Sequence, residues 1–229
     1  MKNIIITESQ KNRLIKEAIG FGFSFERLKN MTSFKKRIEF CKEYLGFSIG
    51  RGSSRLVFQL NDNWVLKLAI NEKGIAQNEE EYGTCMDSYN PISVNVNDKL
   101  SDTDNFYFIV SEFVLKATNG DFKHIIGMSF DEFVGFINKT SLDSLGYGYY
   151  SYKFKRSDEE YVELIENNEN IYDFYEYIGN YCPDESTIGD MSVINNYGIV
   201  NRNGDATIVM LDTGINNEIY NNYYRRGRW

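Results

Sequence analysis

The chain has 229 residues, of which 42% are hydrophobic and 15% aromatic, enough for a sizeable core in one domain or in a small domain with an appendage. Its formal net charge of −8 excludes general nucleic-acid binding, which needs a basic face, though not a local basic pocket. Cys41, Cys85 and Cys182 are odd in number and lack disulfide or metal-type spacing, so the composition points to a reducing, cytoplasmic setting. No apolar run reaches transmembrane length, and Asn3-Ile4-Ile5-Ile6 is too short for a signal peptide, so no membrane partner is expected.

Thr7-Glu8-Ser9-Gln10 has capping-box spacing and predicts a helix to about Ala18, broken by Gly20-Phe21-Gly22. A second helix is expected over 24–44. Phe25, Leu28, Met31, Phe34, Ile38, Cys41 and Leu45 recur at three or four residues and form its apolar stripe. From residue 46 the period falls to two. Gly46 to Leu60 reads as strand, glycine turn, strand; Asn61-Asp62-Asn63 is a turn; Trp64 to Ala69 is a third strand. Lys67 stands inside that apolar strand. Such a lysine is either buried with a partner or points to a solvated face. A helix over 73–88 carries Glu79-Glu80-Glu81, any one of which can turn inward to Lys67. Asn105 to Val114 is apolar almost throughout and reads as a central strand.

Residues 120–182 are expected to be helical. Ser129-Phe130-Asp131-Glu132 and Ser157-Asp158-Glu159-Glu160 have capping-box spacing. Phe130, Phe133, Val134 and Ile137 make one apolar face, and Ile171, Phe174, Tyr175, Ile178 and Cys182 another. Leu145 to Tyr152, rich in Gly and Tyr, reads as a loop between them.

Gly189 to Gly198 reads as a loop, followed by a hairpin centred on Asn203-Gly204, a pair that tolerates a type I′ turn. A two-residue turn there pairs residues whose numbers sum to 407. That register sets Asn195 opposite Asp212, with Asp190 a few residues upstream. An amide and two carboxylates converging beside a sheet suit a divalent cation with a phosphate ligand.

Taken together, these elements resemble the protein kinase-like fold. Gly50-Arg51-Gly52-Ser53-Ser54-Arg55-Leu56-Val57 resembles the glycine-rich loop, with Arg55 in place of its third glycine. Lys67 looks like the third-strand lysine and Glu81 like its ion-pair partner, with Glu79 and Glu80 as rivals. Glu112 to Val114 looks like the hinge. Asp190 and Asn195 keep the catalytic-loop spacing, and Asp212-Thr213-Gly214 resembles the metal-binding aspartate-phenylalanine-glycine triplet. The resemblance covers about residues 46–214 and is nearest to the small kinase-like proteins of bacteriophages. It implies an α+β, two-lobed architecture with three parts: an N-terminal helical appendage (1–45), an antiparallel-sheet small lobe (46–115) and a reduced, mostly helical lobe with the catalytic-loop hairpin (116–229). Nucleotide would sit in the cleft.

The resemblance also implies roles. ATP phosphates would rest on the backbone of Gly50, Gly52, Ser53 and Ser54 beneath Val57. Lys67 would contact the inner phosphates, oriented by Glu81. Glu112 and Val114 would meet the base, Asn195 and Asp212 would hold Mg²⁺, and Asp190 would accept a proton. The departures are equally specific. Ile188-Gly189 replaces the usual His-Arg before the aspartate; the lone histidine, His124, reads as structural; and only fifteen residues follow Gly214, too few for an activation segment or a peptide platform. Two functions fit: a minimal ATP-dependent phosphotransferase with an unknown acceptor or protein partner, or a pseudokinase-like binding module, including an oligomeric virion component. The basic stretch Arg225-Arg226-Gly227-Arg228 is a solvated tail or touches a phosphate or an acidic partner.

Overall fold

The computed structural model describes residues 22–86, 90–146, 157–181, 183–202 and 204–225. The architecture is α+β with antiparallel sheets. The chain divides into two compact units. The first comprises the described residues to Tyr82 with Asn95–Phe113; the second comprises Gly83–Val94 with the described residues from Val114 onward. The helix expected over 7–18 lies outside the described residues.

In the first unit, helices α1 (Phe25–Lys29) and α2 (Phe34–Leu45) replace the single helix expected over 24–44. The break follows from local chemistry. Asn30 ends α1 and turns its side-chain amide back onto Glu26 O at 2.8 Å, and extended Ser33 starts α2. Arg37 holds the bend by donating to Met31 O, its guanidinium 3.6 Å from the centre of the Tyr107 ring. The expected stripe still faces inward. Leu28 and Cys41 are fully buried and share one core with Leu56, Phe58, Leu66, Leu68, Phe108 and Val110 of the sheet. That apolar shell pushes the Cys41 thiol up to about 12.

The sheet runs β1 (Gly50–Arg51), β2 (Arg55–Gln59), β3 (Trp64–Ala69), β4 (Phe108–Glu112), antiparallel throughout. Segment 95–97 extends the β4 edge through Glu112 N to Asn95 O at 2.8 Å and Asn97 N to Val110 O at 2.7 Å. Every residue of β3 is buried. Its even positions face the core shared with α1 and α2; Lys67, among the odd positions, lies on the opposite face. The fourth strand starts at Phe108 rather than Asn105, because buried Asp102 gathers the amides of Asp104, Asn105 and Tyr107 into a turn.

In the second unit, α4 (Phe130–Leu145), α5 (Asp158–Asn167) and α6 (Glu169–Tyr181) surround a hairpin of β6 (Tyr197–Arg202) and β7 (Asp205–Met210), with β5 (Leu115–Lys116) on its edge. Both expected capping boxes form, at Ser129/Glu132 and Ser157/Glu160. The hairpin takes the expected register, from Tyr197↔Met210 to Arg202↔Asp205. Gly204 has φ 104°, the left-handed conformation its turn requires; Asn203 lies outside the described residues. The core is aromatic, with Phe122, Phe133 and Phe174 around fully buried Tyr197. On α6, Tyr175 is 39% exposed and Tyr177 is buried in the core, so the inward face is rotated from the expected one. Cys182 and most of the Leu145–Tyr152 loop lie outside the described residues. Among the described residues no helix is long and apolar enough to cross a membrane.

Buried Asn170 of α6 acts as a surrogate strand. Its Nδ2 donates to Ile208 O at 3.0 Å, and its Oδ1 accepts from Ile208 N at 2.8 Å. Asn170→Leu strips both partners and should cost about 2–4 kcal/mol, read as a lower urea midpoint with an unchanged m-value. Asp173, on the same helix, is half-buried. Desolvation, with Glu169 adding repulsion, raises its pKa from 3.8 to about 6. The folded protein therefore binds its proton more tightly than the unfolded chain, so this contribution is full below about pH 4 and is lost as pH rises towards 6. Asp173→Asn should be more stable than the parent at pH 7, with the advantage vanishing near pH 4 in matched urea titrations.

Candidate functional site

In the first unit the candidate residues converge on one carboxylate. Helix α3 (Glu72–Met86) buries Gly74, Gln77, Asn78 and Glu81, a polar stripe at i, i+3, i+4 and i+7 where an amphipathic helix would normally carry apolar residues. Gly74 permits the approach, since a Cβ there would collide with Ser54 O and crowd Ala69. Glu81 is fully buried and receives two cations: Lys67 on Oε1, and Arg55 Nη1 on Oε2 at 2.7 Å. Glu81 is thus the partner of Lys67; Glu79 is exposed. Asn78 completes the cluster, accepting from Arg55 Nη1 at 3.3 Å and donating to Phe106 O at 2.9 Å. Phe106 has φ 51°, a strained value for an aromatic residue.

The glycine turn is bound to the same helix. Gly52 N donates to Arg55 O at 2.9 Å, closing the turn, and Ile49 N donates to Val57 O at 2.8 Å. Ser53 O accepts from Asn71 Nδ2 at 3.1 Å, Ser53 Oγ accepts from Lys73 Nζ at 2.7 Å, Ser54 O accepts from Ile70 N at 2.9 Å, and Ser54 Oγ donates to Gln77. None of residues 50–54 has a left-handed φ, so the backbone expected to cradle phosphates carries no alternation of right- and left-handed residues. A Cβ at Gly52 would meet only Arg55 O at 3.9 Å, and one at Gly50 would only touch Val57, so the protein's own packing does not demand either glycine. At the expected hinge, Glu112 is paired with Trp64 in the sheet, Asn95 N donates to Glu112 Oε2 at 3.2 Å, and Phe113 N donates to Asn63 O at 2.8 Å. Val114 belongs to the second unit and packs with Val94, Val200 and Val209.

In the second unit, Asp190 is not in a loop. It lies in the last turn of α7 (Glu185–Met191), which Asp184 caps by accepting from Thr187 N at 3.0 Å and which buries Ile188 and Met191. The backbone of Asp190 organises the following turn. Its carbonyl accepts from Val193 N at 3.2 Å and from Asn196 Nδ2 at 3.0 Å. Asn195 sits exposed on the short 3-10 turn Ile194–Asn196. One further bond follows β6 and β7, Leu211 N donating to Asn196 O at 2.7 Å, and there the ladder gives way to the 3-10 turn that carries Asn195. Asp212 Oδ1 accepts from Gly214 N at 3.2 Å. Tyr197, below the turn, donates its hydroxyl to Met191 O at 2.6 Å. Burial, then the negative field of Asp190, holds its pKa well above 10. His124 is exposed.

Asp190 also lines a pocket of about 680 Å³ wholly within this unit. Its walls include Glu185 and Ser186 of α7, and Asn217, Tyr220 and Tyr224 from the segment after the hairpin. Sequence reasoning misses these C-terminal residues, because it weighs the segment only as too short for an activation segment; the tyrosines and asparagines beyond Gly214 are the available signal. Arg225 lines the pocket too and donates to Asn221 Oδ1 at 3.3 Å; Arg226 to Arg228 lie outside the described residues.

Asn195 carries an amide oxygen and Asp212 a carboxylate, donor types of the kind that Mg²⁺ accepts. Among the described residues no three of His, Cys, Asp and Glu form a metal-binding cluster. Compared with protein-family models and with curated proteins, the chain matches none.

The Glu81 cluster makes a graded prediction. Glu81→Gln leaves two buried cations without their carboxylate and should cost about 3–5 kcal/mol. Lys67→Met leaves the Arg55–Glu81 pair in place and should cost clearly less. Equal losses in chemical unfolding would show that Arg55 does not hold the carboxylate by itself.

Proposed function

We propose that the chain is an ATP-dependent phosphotransferase built on a protein kinase-like plan. The observation that carries this reading is the ion pair between third-strand Lys67 and Glu81 of the following helix, both buried. Taking such a pair out of water is costly, and apolar packing would join strand to helix as well. A lysine fixed in one orientation is what contact with the inner phosphates of ATP needs. The order of elements adds support: a glycine hairpin, the lysine strand, the glutamate helix and an edge segment in one unit, then Asp190, Asn195, a hairpin and Asp212 in the other.

In this reading Asn195 and Asp212 hold Mg²⁺, which supplies charge neutralisation on the phosphates. Asp190 accepts the proton of the attacking hydroxyl. Its placement at the end of a helix buried through Ile188 and Met191, with its carbonyl tied by Asn196, restricts its movement. The nucleotide approaches the exposed side of Gly52, where a Cβ would meet only Arg55 O, at 3.9 Å.

A second reading, a nucleotide-free or inactive binding module of the pseudokinase kind, has its own observation. Arg55 occupies the second oxygen of Glu81, and Gly52 spends its amide on the turn, so the cluster holds the loop by itself.

Titration with Mg²⁺-ATP separates the two. Ligand at a hundredfold excess over Kd stabilises by about 2.7 kcal/mol, which for a chain of this size raises Tm by roughly 5–10 °C. The phosphotransferase reading expects that shift, its loss in Asp212→Ala, and its retention in Asp190→Asn with turnover reduced roughly 10²-fold or more. No shift with any nucleotide would leave the second reading.

A further inference from the structure

The pocket around Asp190 has a definite chemistry, and its use as an acceptor site rests on the phosphotransferase reading of that residue. One wall is a single face of α7, presenting Glu185, Ser186, Gly189 and Asp190. Gly189 places no side chain beside the candidate base. The other wall is the segment 215–225, in which the rings of Tyr220 and Tyr224 lie nearly parallel, 6° apart with centroids 6.0 Å from each other.

The two walls are fastened together. Asn217 Oδ1 accepts from Ser186 Oγ at 2.7 Å and from Ser186 N at 3.3 Å, and Asn217 N donates to the Asp184 carboxylate. The Thr187 hydroxyl donates to Ile215 O at 3.0 Å. The pocket is therefore preformed. Its volume of about 680 Å³ falls in the range of roughly 300–1,000 Å³ typical of small-molecule sites. Its lining mixes carboxylates, amides and an arginine with two aromatic rings. It has none of the extended sheet edge or apolar groove by which proteins take up peptide segments. Hydrogen-bonding groups on one side and two aromatic rings on the other suit a ring bearing several hydroxyls.

We propose that this pocket holds the phosphate acceptor, and that the acceptor is a small sugar-type ring, free or carried in a nucleoside, rather than a protein. A ring hydroxyl lies at Asp190 and a ring face lies on Tyr220 or Tyr224. The hydroxyl oxygen bonds to the γ-phosphorus of ATP. The bond from that phosphorus to the β,γ-bridging oxygen breaks with its electron pair leaving on ADP, and the hydroxyl proton passes to Asp190. The products are a sugar phosphate and ADP.

The test uses the full chain without nucleotide. Saturation-transfer NMR is run against free ribose, glucose, uridine and adenosine, with a serine-containing peptide as competitor class. At least one sugar or nucleoside should show saturation at its ring C–H protons. Its affinity should fall fivefold or more in Tyr220→Ala or Tyr224→Ala, with melting curves confirming that the variants remain folded. Response from free ribose or glucose identifies a free sugar; response only from uridine or adenosine identifies a nucleoside. The proposal falls if no sugar or nucleoside binds, if only the peptide binds, or if binding is indifferent to both tyrosines. ATP titration of the same sample keeps the two readings apart. Nucleotide binding without sugar binding overturns this inference alone. Sugar binding without nucleotide binding leaves the pocket as a sugar site and removes the phosphotransferase.

Discussion

A fully buried carboxylate must be neutralised where it stands, and in the first unit that condition falls on Glu81. One of its oxygens takes Lys67 from the middle of the sheet, and the other takes Arg55 from the neighbouring strand. Two strands and a helix are thereby held through one side chain. The rest of the helix conforms to it. Gly74 lets the backbones approach, Gln77 reaches the glycine turn, and Asn78 reaches Arg55 and Phe106 O. Apolar residues at these positions would give comparable adhesion without the cost of desolvating charge. Stability alone therefore does not explain why the stripe is polar.

Much of this architecture is legible from spacing, because period and register are local properties. The hairpin pairs on the 407 register because Asn203-Gly204 permits only a short turn between two β-branched runs. The two serine capping boxes form because both partners lie within one turn of each other. The lysine strand stands out because a charge interrupts an apolar run. The features that spacing does not reveal depend on tertiary partners. Nothing local distinguishes Glu81 from Glu79 and Glu80; the choice is made by which face of the helix meets Arg55 and Lys67. Arg55 is visible only as a missing glycine, and its pairing with a residue 26 positions away has no local signature. Asn170 looks like any helical asparagine until the hairpin edge arrives beside it.

Errors of boundary have the same origin. The helical pattern continues unbroken across Asn30 to Ser33, yet the side-chain amide of Asn30 and the reach of Arg37 to Met31 O favour a bend. Asp190 reads as part of a loop because Gly189 precedes it. The cap at Asp184 and the burial of Ile188 and Met191 extend a helix through that glycine. In the second unit the consequence reaches the pocket beside Asp190. A residue at the end of a packed helix is aimed by the whole helix, and the residues after Gly214, too few for an activation segment, supply the facing wall.

The glycine turn has the sequence of a cradle, but its attachments give it a different mechanical character. The residues at its tip are joined to the region 70–77 by two backbone carbonyls and two hydroxyls, and the turn closes on itself through Gly52 and Arg55. Through Lys73 and Gln77 the tip of this hairpin is tied to the helix whose Glu81 receives Lys67. A rigid shift of α3 would therefore carry the turn and the carboxylate that orients Lys67 together.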